Sequence, residues 1–445
     1  MATIEIDRLG PITDYKMDIH KINLLIGEQA TGKSTICKAI YFFHLVKEEI
    51  IEYLYRISIV GKDISGQNFP KVLNGKVKDI CRELFGFSWD LPNDLNVKYS
   101  FTDKVWISIH IDEQTANGKN KKYFSVEYSG ALRREVNRLE NEALLFFQQQ
   151  TGDFSYSYLT IEKNRLHEHI QKSINCLFED DYMIYYIPAG RSMLTLMSGQ
   201  TTKIDYTALD LVNRKFMQLI ENLQPKFDRG IARLHEYYPK NERKFDVKQV
   251  IYELLEDLKG DYYFTQYREF LKVDNSNIPI NFISSGQQEV LWLLNQLYTL
   301  LLKEERAFLI IEEPEAHLYP KLQKKVIDFI IYFANITGST VIVTTHSPYI
   351  LTSANVACYA GRLLDIGIEQ TKIERIVGKH RIIRLGEIYA GKLIHDGVKT
   401  RIENLVMSDS GELYAELIDE ISDYNSQMYT RLYELETSYE KSTIN

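Results

Sequence analysis

Ile22-Asn23-Leu24-Leu25-Ile26-Gly27-Glu28-Gln29-Ala30-Thr31-Gly32-Lys33-Ser34-Thr35 runs from an apolar segment through a glycine-spaced turn into a stretch of helical character. Gly27 to Ser34 satisfies G-x-x-x-x-G-K-[ST], a spacing with a physical cause. Glycines let the backbone curl until successive N–H groups point inward at phosphate oxygens, and the following helix adds its positive end. Strand, loop and helix fall in the order the mechanism needs. Gly27, Glu28, Gln29, Ala30, Thr31, Gly32, Lys33, Ser34 and Thr35 are therefore the candidate nucleotide-binding residues. Lys33 is expected on the β- and γ-phosphates, and Ser34 on a Mg²⁺ ion.

A second half of such a site is expected at Phe308-Leu309-Ile310-Ile311-Glu312-Glu313, an apolar strand ending in two adjacent carboxylates. Side chains alternate across a strand, so one acid can reach the metal while its neighbour addresses an attacking water. Glu312 is assigned to the metal and Glu313 to water activation.

Outward from these two stretches, 445 residues suffice for one large α/β domain with an insertion, or for two modest domains. Apolar residues make up 44% and charged ones 26%, which is globular rather than disordered composition. A net charge of −8 argues against indiscriminate coating of nucleic acid, which needs many cations on phosphates. Cys37, Cys81, Cys176 and Cys358 are far apart and form no zinc-type cluster. With no signal peptide and no long apolar run, a cytoplasmic chain without membrane spans is expected.

Thr3 to Arg8 and Ile22 to Ile26 read as strands before the glycine turn, and a helix follows from Lys33 to about Tyr55. Asn96 to Ile111 and Tyr123 to Tyr128 form a hairpin around Asn117-Gly118-Lys119-Asn120. Ala131 to Gln150 and Tyr158 to Phe178 have helical periodicity and are expected as a helical arm, each segment spanning only about 30 Å. The last third alternates helix and strand. The division expected is 1–60 for an N-terminal core lobe, 61–275 for an α+β and helical insertion partly returning to the core, 276–360 for a C-terminal core lobe and 361–445 for a helical tail. In that tail Leu413, Leu417, Ile421, Tyr424, Met428, Leu432 and Leu435 make a helical stripe.

Ile283-Ser284-Ser285-Gly286-Gln287-Gln288-Glu289 resembles the Leu-Ser-Gly-Gly-Gln signature of ABC-type ATPases. Glu312-Glu313-Pro314-Glu315-Ala316-His317-Leu318 looks like their Walker B and D-loop, and Thr345-His346-Ser347-Pro348 is similar to their switch histidine. Among these ATPases the chain most resembles compact, structural-maintenance-of-chromosomes (SMC)-like ones, including the overcoming-lysogenisation-defect family and ATPase subunits of antiphage systems. The resemblance implies an α/β fold: an ABC-type P-loop core with a mixed sheet flanked by helices. It also implies ATP hydrolysis with Mg²⁺ in a homodimer or higher oligomer. There Ser284, Ser285, Gly286 and Gln287 of one copy face the γ-phosphate held by the other. Ser285 with Gln288 reads as a capping box that sets that helix tip. His346 is expected on the γ-phosphate, at the carboxyl edge of the sheet, and His317 in a dimer contact.

Two departures stand out. Glu312 occupies a place where the family usually has Asp, and no clear Q-loop glutamine occurs. Arg191, in Ile187-Pro188-Ala189-Gly190-Arg191-Ser192, lies in the comparable region. It reads either as a phosphate or partner contact or as a plain salt bridge. No Asp-x-Asp of a Toprim nuclease follows His346, and the resemblance implies control of a separately encoded effector such as a nuclease in antiphage defence. The alternatives are a DNA-repair or DNA-clamping ATPase, with Lys119, Lys121, Lys122, Arg133, Arg134 and Arg138 as the basic surface, and an ATP-locked scaffold.

Overall fold

A computed structural model describes residues 1–61, 69–86, 95–116, 119–149, 156–198, 209–238, 244–265, 268–395, 399–407 and 411–413, with Met428 and Thr430. In chain order the elements begin with β1 (Thr3–Leu9), β2 (Ile12–Asp18), β3 (Ile22–Gly27), α1 (Lys33–Val60) and α2 (Phe69–Phe85). Then come β4 (Asn96–Ser100), β5 (Trp106–Ala116), β6 (Lys119–Tyr128), α3 (Gly130–Gln149), α4 (Tyr156–Phe178), β7 (Met183–Ile187), α5 (Arg191–Ser198), α6 (Leu211–Leu223) and α7 (Lys244–Leu258). A small antiparallel meander of β8 (Asp261–Thr265), β9 (Arg268–Val273) and β10 (Ser276–Pro279) leads to α8 (Ser285–Lys303). The chain continues through β11 (Ala307–Glu312), α9 (Pro320–Thr337), β12 (Thr340–Thr345), α10 (Pro348–Asp365), α11 (Gln370–Val377), β13 (Ile388–His395) and β14 (Thr400–Asn404).

Eleven strands form one sheet in the order β6-β5-β4-β1-β2-β14-β13-β3-β12-β11-β7. From β13 to β7 all neighbours are parallel. The other half is antiparallel apart from a single parallel bridge, Thr400 to Ile12, that joins β14 to β2. The sheet is thus mixed and flanked by helices, the α/β architecture expected.

Strict alternation along the central strands divides two cores. Leu309 and Ile311 of β11 and Val341 and Val343 of β12 face α7 to α10. Phe308, Ile310 and Ile342 face α1 to α4 on the other side. Ala307–Glu312 is covered on both faces and buried throughout, which is why it is apolar up to Glu312, whose carboxylate is buried with hydrogen-bond partners.

The structure departs from the sequence reading in four places. A third strand, β2, precedes the glycine loop, and Asn96 to Ile111 is split between β4 and β5. Helices α3 and α4 are no projecting arm: Leu132, Val136, Leu139, Ile170 and Ile174 are buried in the same core as α1. The tail is not wholly helical either. Ile388–His395 and Thr400–Asn404 are two strands of the main sheet, and Leu413 is a buried bridge partner of Val406. Met428 is helical and exposed, whereas Leu417, Ile421, Tyr424, Leu432 and Leu435 lie outside the described residues. So do Asn117 and Gly118, and the side chains of Lys119, Lys121 and Lys122. Arg138, expected on a basic surface, is paired with Glu135 and Glu142. No helix among the described residues is long and apolar enough to cross a membrane.

Candidate active site

The glycine loop leaves β3 at Gly27 and enters α1 at Lys33. Positive φ values at Gly27 (154°), Ala30 (60°) and Gly32 (99°) give the curl, and the glycines are needed for space as well. A Cβ on Gly27 would sit 2.5 Å from the carbonyl oxygen of Leu393 on β13 and 3.2 Å from Thr31 Oγ1; one on Gly32 would collide with Ile12. Thr31 Oγ1 donates to the Glu28 carbonyl at 2.9 Å, and Thr400 Oγ1 donates to the Thr31 carbonyl at 3.1 Å. Lys33 Nζ donates to the carbonyls of Gly27 (2.8 Å) and Glu28 (2.7 Å), folding its ammonium across the loop. Burial holds Lys33 below the usual lysine pKa, against the pull of Glu313, Glu315 and Glu312. Glu28, Gln29, Ala30 and Ser34 are exposed and Thr35 is partly so.

β3, β12 and β11 are adjacent and parallel, with Ile26 beside Thr345 and Thr344 beside Glu312. Their carboxyl ends therefore bring the loop, His346 and the acid pair to one edge, where ligands of open α/β sheets bind. Glu312 is buried; its carboxylate accepts from Tyr186 OH at 2.8 Å and from the Ala189 amide at 3.2 Å. Glu313, one residue past the strand, has φ 44° and donates its amide to the Thr344 carbonyl at 2.9 Å. Oε1 of Glu313 lies 3.0 Å from His346 Nε2. Glu315 holds the other side of the histidine loop: its Oε1 accepts from Thr345 Oγ1 at 2.6 Å and from the His346 amide at 2.8 Å.

Ser284 caps α8, in reciprocal bonding with Gln287. The capping box thus falls one residue earlier than the expected Ser285–Gln288 pair. Gln288 is drawn inside, where its amide donates to the Ile280 carbonyl at 3.0 Å, while Gln287 remains at the helix tip. Ser284 and Ser285 are exposed. Gly286 packs so tightly on the D-loop that a Cβ there would lie 2.7 Å from the carbonyl oxygen of His317; the His317 side chain is exposed.

Arg191 does not reach toward a phosphate or a partner surface: its side chain has 0% exposure. Its guanidinium donates to the carbonyls of Glu289 (2.7 Å), Pro188 (2.7 Å), Glu312 (2.5 Å) and Glu313 (2.8 Å), and Nε is 3.4 Å from a carboxylate oxygen of Glu289. Burial works against its charge, with Glu289 first among the opposing carboxylates. Tyr186, Glu289 and Glu315 are the site-shaping residues that the sequence reading did not single out. Only Glu289 and Glu315 left a trace, as carboxylates inside the signature and D-loop stretches.

A loop of this geometry beside a buried carboxylate defines a P-loop nucleotide-binding protein. The chain belongs to the AAA ATPase domain family, whose model matches residues 1–351. Similar solved structures include an SMC head bound to the C-winged helix domain of ScpA (12% identity, 91% of this chain and 96% of that one, TM-score 0.40). Others are the SMC head domain from Thermotoga maritima (10% identity, 91% and 98%, TM-score 0.37) and a dimeric post-hydrolysis ATP-binding cassette bound to ADP and Pi (12% identity, 79% and 90%, TM-score 0.27). No curated protein matches the chain.

Proposed function

We propose that the chain hydrolyses ATP at a site completed by a second copy, in the manner of ABC-type and SMC-like ATPases. The observation that carries this reading is the meeting of the Lys33 loop, Glu312, Glu313 and His346 at the ends of three adjacent strands, while the capped tip of α8 stays exposed. Gly27 to Thr35 hold the triphosphate, with Lys33 exchanging its two carbonyl partners for phosphate oxygens. The loop suits the substrate because positive φ at Gly27, Ala30 and Gly32 curls its backbone ahead of the α1 N-terminus. Ser34 and Glu312 are the residues for Mg²⁺, a hard cation that takes a hydroxyl and a carboxylate alongside phosphates. When bound, the ion neutralises charge on the β- and γ-phosphate oxygens.

Glu313 accepts a proton from the attacking water as its oxygen bonds to the γ-phosphorus; the bond to the β-bridging oxygen breaks and ADP leaves. His346 orients Glu313 and meets the γ-phosphate. Ser284, Ser285, Gly286 and Gln287 of the second copy supply a helix N-terminus to the same phosphate, so nucleotide binds the two copies together. The dimer's opening and closing in turn controls a separately encoded effector, of nuclease type, in bacterial antiphage defence. This last step rests on the motif resemblance.

Light scattering with Mg-ATP tests the core of the reading. Glu313→Gln is expected as an ATP-dependent dimer and Lys33→Ala as a monomer that binds no nucleotide. A Glu313→Gln protein that stays monomeric at saturating ATP removes the composite site. Purification from the native operon tests the effector, and a homodimer that carries no second gene product counts against it.

A further inference from the structure

Arg191 and Glu289 form a connection with no part in the chemistry described above. The guanidinium satisfies carbonyls from three elements at once: Pro188 after β7, Glu289 in α8, and Glu312 and Glu313 at the end of β11. The carboxylate of Glu289 accepts the amides of Arg191 (3.1 Å) and Ser192 (3.0 Å), and so caps α5 from α8. Thr195 Oγ1, one turn on, donates to the Gln288 carbonyl at 3.0 Å. Glu289 lies in the second turn of the helix whose tip is Ser284.

We infer that Arg191 is a positioning residue that couples the signature helix to the two Walker B acids. Glu313 adopts φ 44°, a conformation that costs energy in any residue but glycine and persists only where its surroundings impose it. Its amide is held by the Thr344 carbonyl, and its own carbonyl is held by Arg191. That conformation faces Glu313 to His346. Any displacement of α8 when its tip engages a phosphate acts through Glu289 on Arg191, and through Arg191 on the backbone carrying both acids. Only a planar fork with five N–H donors serves these acceptors together; a lysine ammonium has three donors and no plane.

The inference rests on the proposed head-to-tail dimer, in which the α8 tip of one copy meets the phosphate held by the other, so its test separates the two. Arg191→Lys, Ser284→Ala and the double variant are compared for ATP affinity, kcat and thermal melting. For Arg191→Lys, affinity should stay within about threefold while kcat falls on the order of 10- to 100-fold, since misplacement by about 1 Å has that effect. Ser284→Ala should also be slow, and the double variant no slower than the worse single one, because both cut one connection. Effects that multiply, or a wild-type kcat in Arg191→Lys, overturn the coupling and leave the head-to-tail reading standing. A wild-type kcat in Ser284→Ala overturns the head-to-tail reading and the coupling with it. Glu289→Gln, which keeps its shape and one acceptor, runs in the same cycle. Loss of folding in both Arg191→Lys and Glu289→Gln makes the pair structural only and overturns the inference.

Discussion

His346 Nε2 stands 3.0 Å from Glu313 Oε1, across the ends of two neighbouring parallel strands. The pair is only partly exposed, and both backbones are tied down, His346 by Glu315 and Glu313 by Thr344. A carboxylate held in this way has one oxygen on the imidazole and one left for a water.

Glu313→Gln is therefore expected to reduce kcat by about 10²-fold or more without weakening ATP binding, in the range of general-base catalysis, and His346→Ala to reduce kcat while also losing its contact to the γ-phosphate. Because the two side chains act as one unit, the double variant should be about as slow as Glu313→Gln alone. Single-turnover hydrolysis alongside equilibrium ATP titration checks both statements.

Gly27→Ala should reduce nucleotide binding at least tenfold. The added methyl meets the Leu393 carbonyl oxygen at 2.5 Å, and backbone cannot move aside as a side-chain end can. Overpacking of this kind costs about 1–3 kcal/mol. A lowered Tm together with lost binding is the expected pair of readouts, and unchanged affinity would contradict this role for β13.

Tyr186→Phe removes a 2.8 Å hydrogen bond from Glu312 and leaves a buried carboxylate oxygen short of a partner, at a cost of about 1–3 kcal/mol. Since Glu312 is the proposed metal carboxylate, the Mg²⁺ concentration for half-maximal hydrolysis should shift several-fold while ATP binding without metal is kept. Magnesium titrations at fixed ATP measure this directly.

Asp180 predicts a pH effect far from the site. Burial pushes its carboxyl up, but the hydrogen bond and charge of His44, with Lys47, outweigh burial and bring it down to about 2 from 3.8. A depressed carboxylate stabilises the fold above its unfolded pKa and loses that contribution as pH falls from about 4 toward 2, roughly 2 kcal/mol in all. Asp180→Asn should be less stable than wild type at pH 6, and the gap should close in acid. Urea unfolding from pH 6 to 3 follows it, and a gap independent of pH would refute the assignment.

The parts of the site legible in the sequence were those fixed by local spacing. Gly27 to Ser34 and Phe308 to Glu313 each carry strand, turn and chemistry in one short window, and the motif order around Ser284 and His346 added the rest. What escaped was set by tertiary packing. Gln288 looked like a capping partner until the core claimed it. Arg191 has the same sequence neighbourhood whether it faces a phosphate or four carbonyls. β13 reads Ile-Tyr-Ala-Gly-Lys-Leu-Ile-His, with a small pair in its middle and a polar end, so neither strand alternation nor an unbroken apolar run marks it as central.

The place of β13 beside β3 has a consequence for how the protein comes into being. Leu393 walls the concavity at Gly27, so a nascent chain carries its phosphate loop out of the ribosome long before the residue that encloses it exists. Ligand recognition is thereby deferred until β13, far downstream of the loop, has been made. A fragment cut after residue 351, although it holds every motif of the site, should emerge as a sheet with a missing plank.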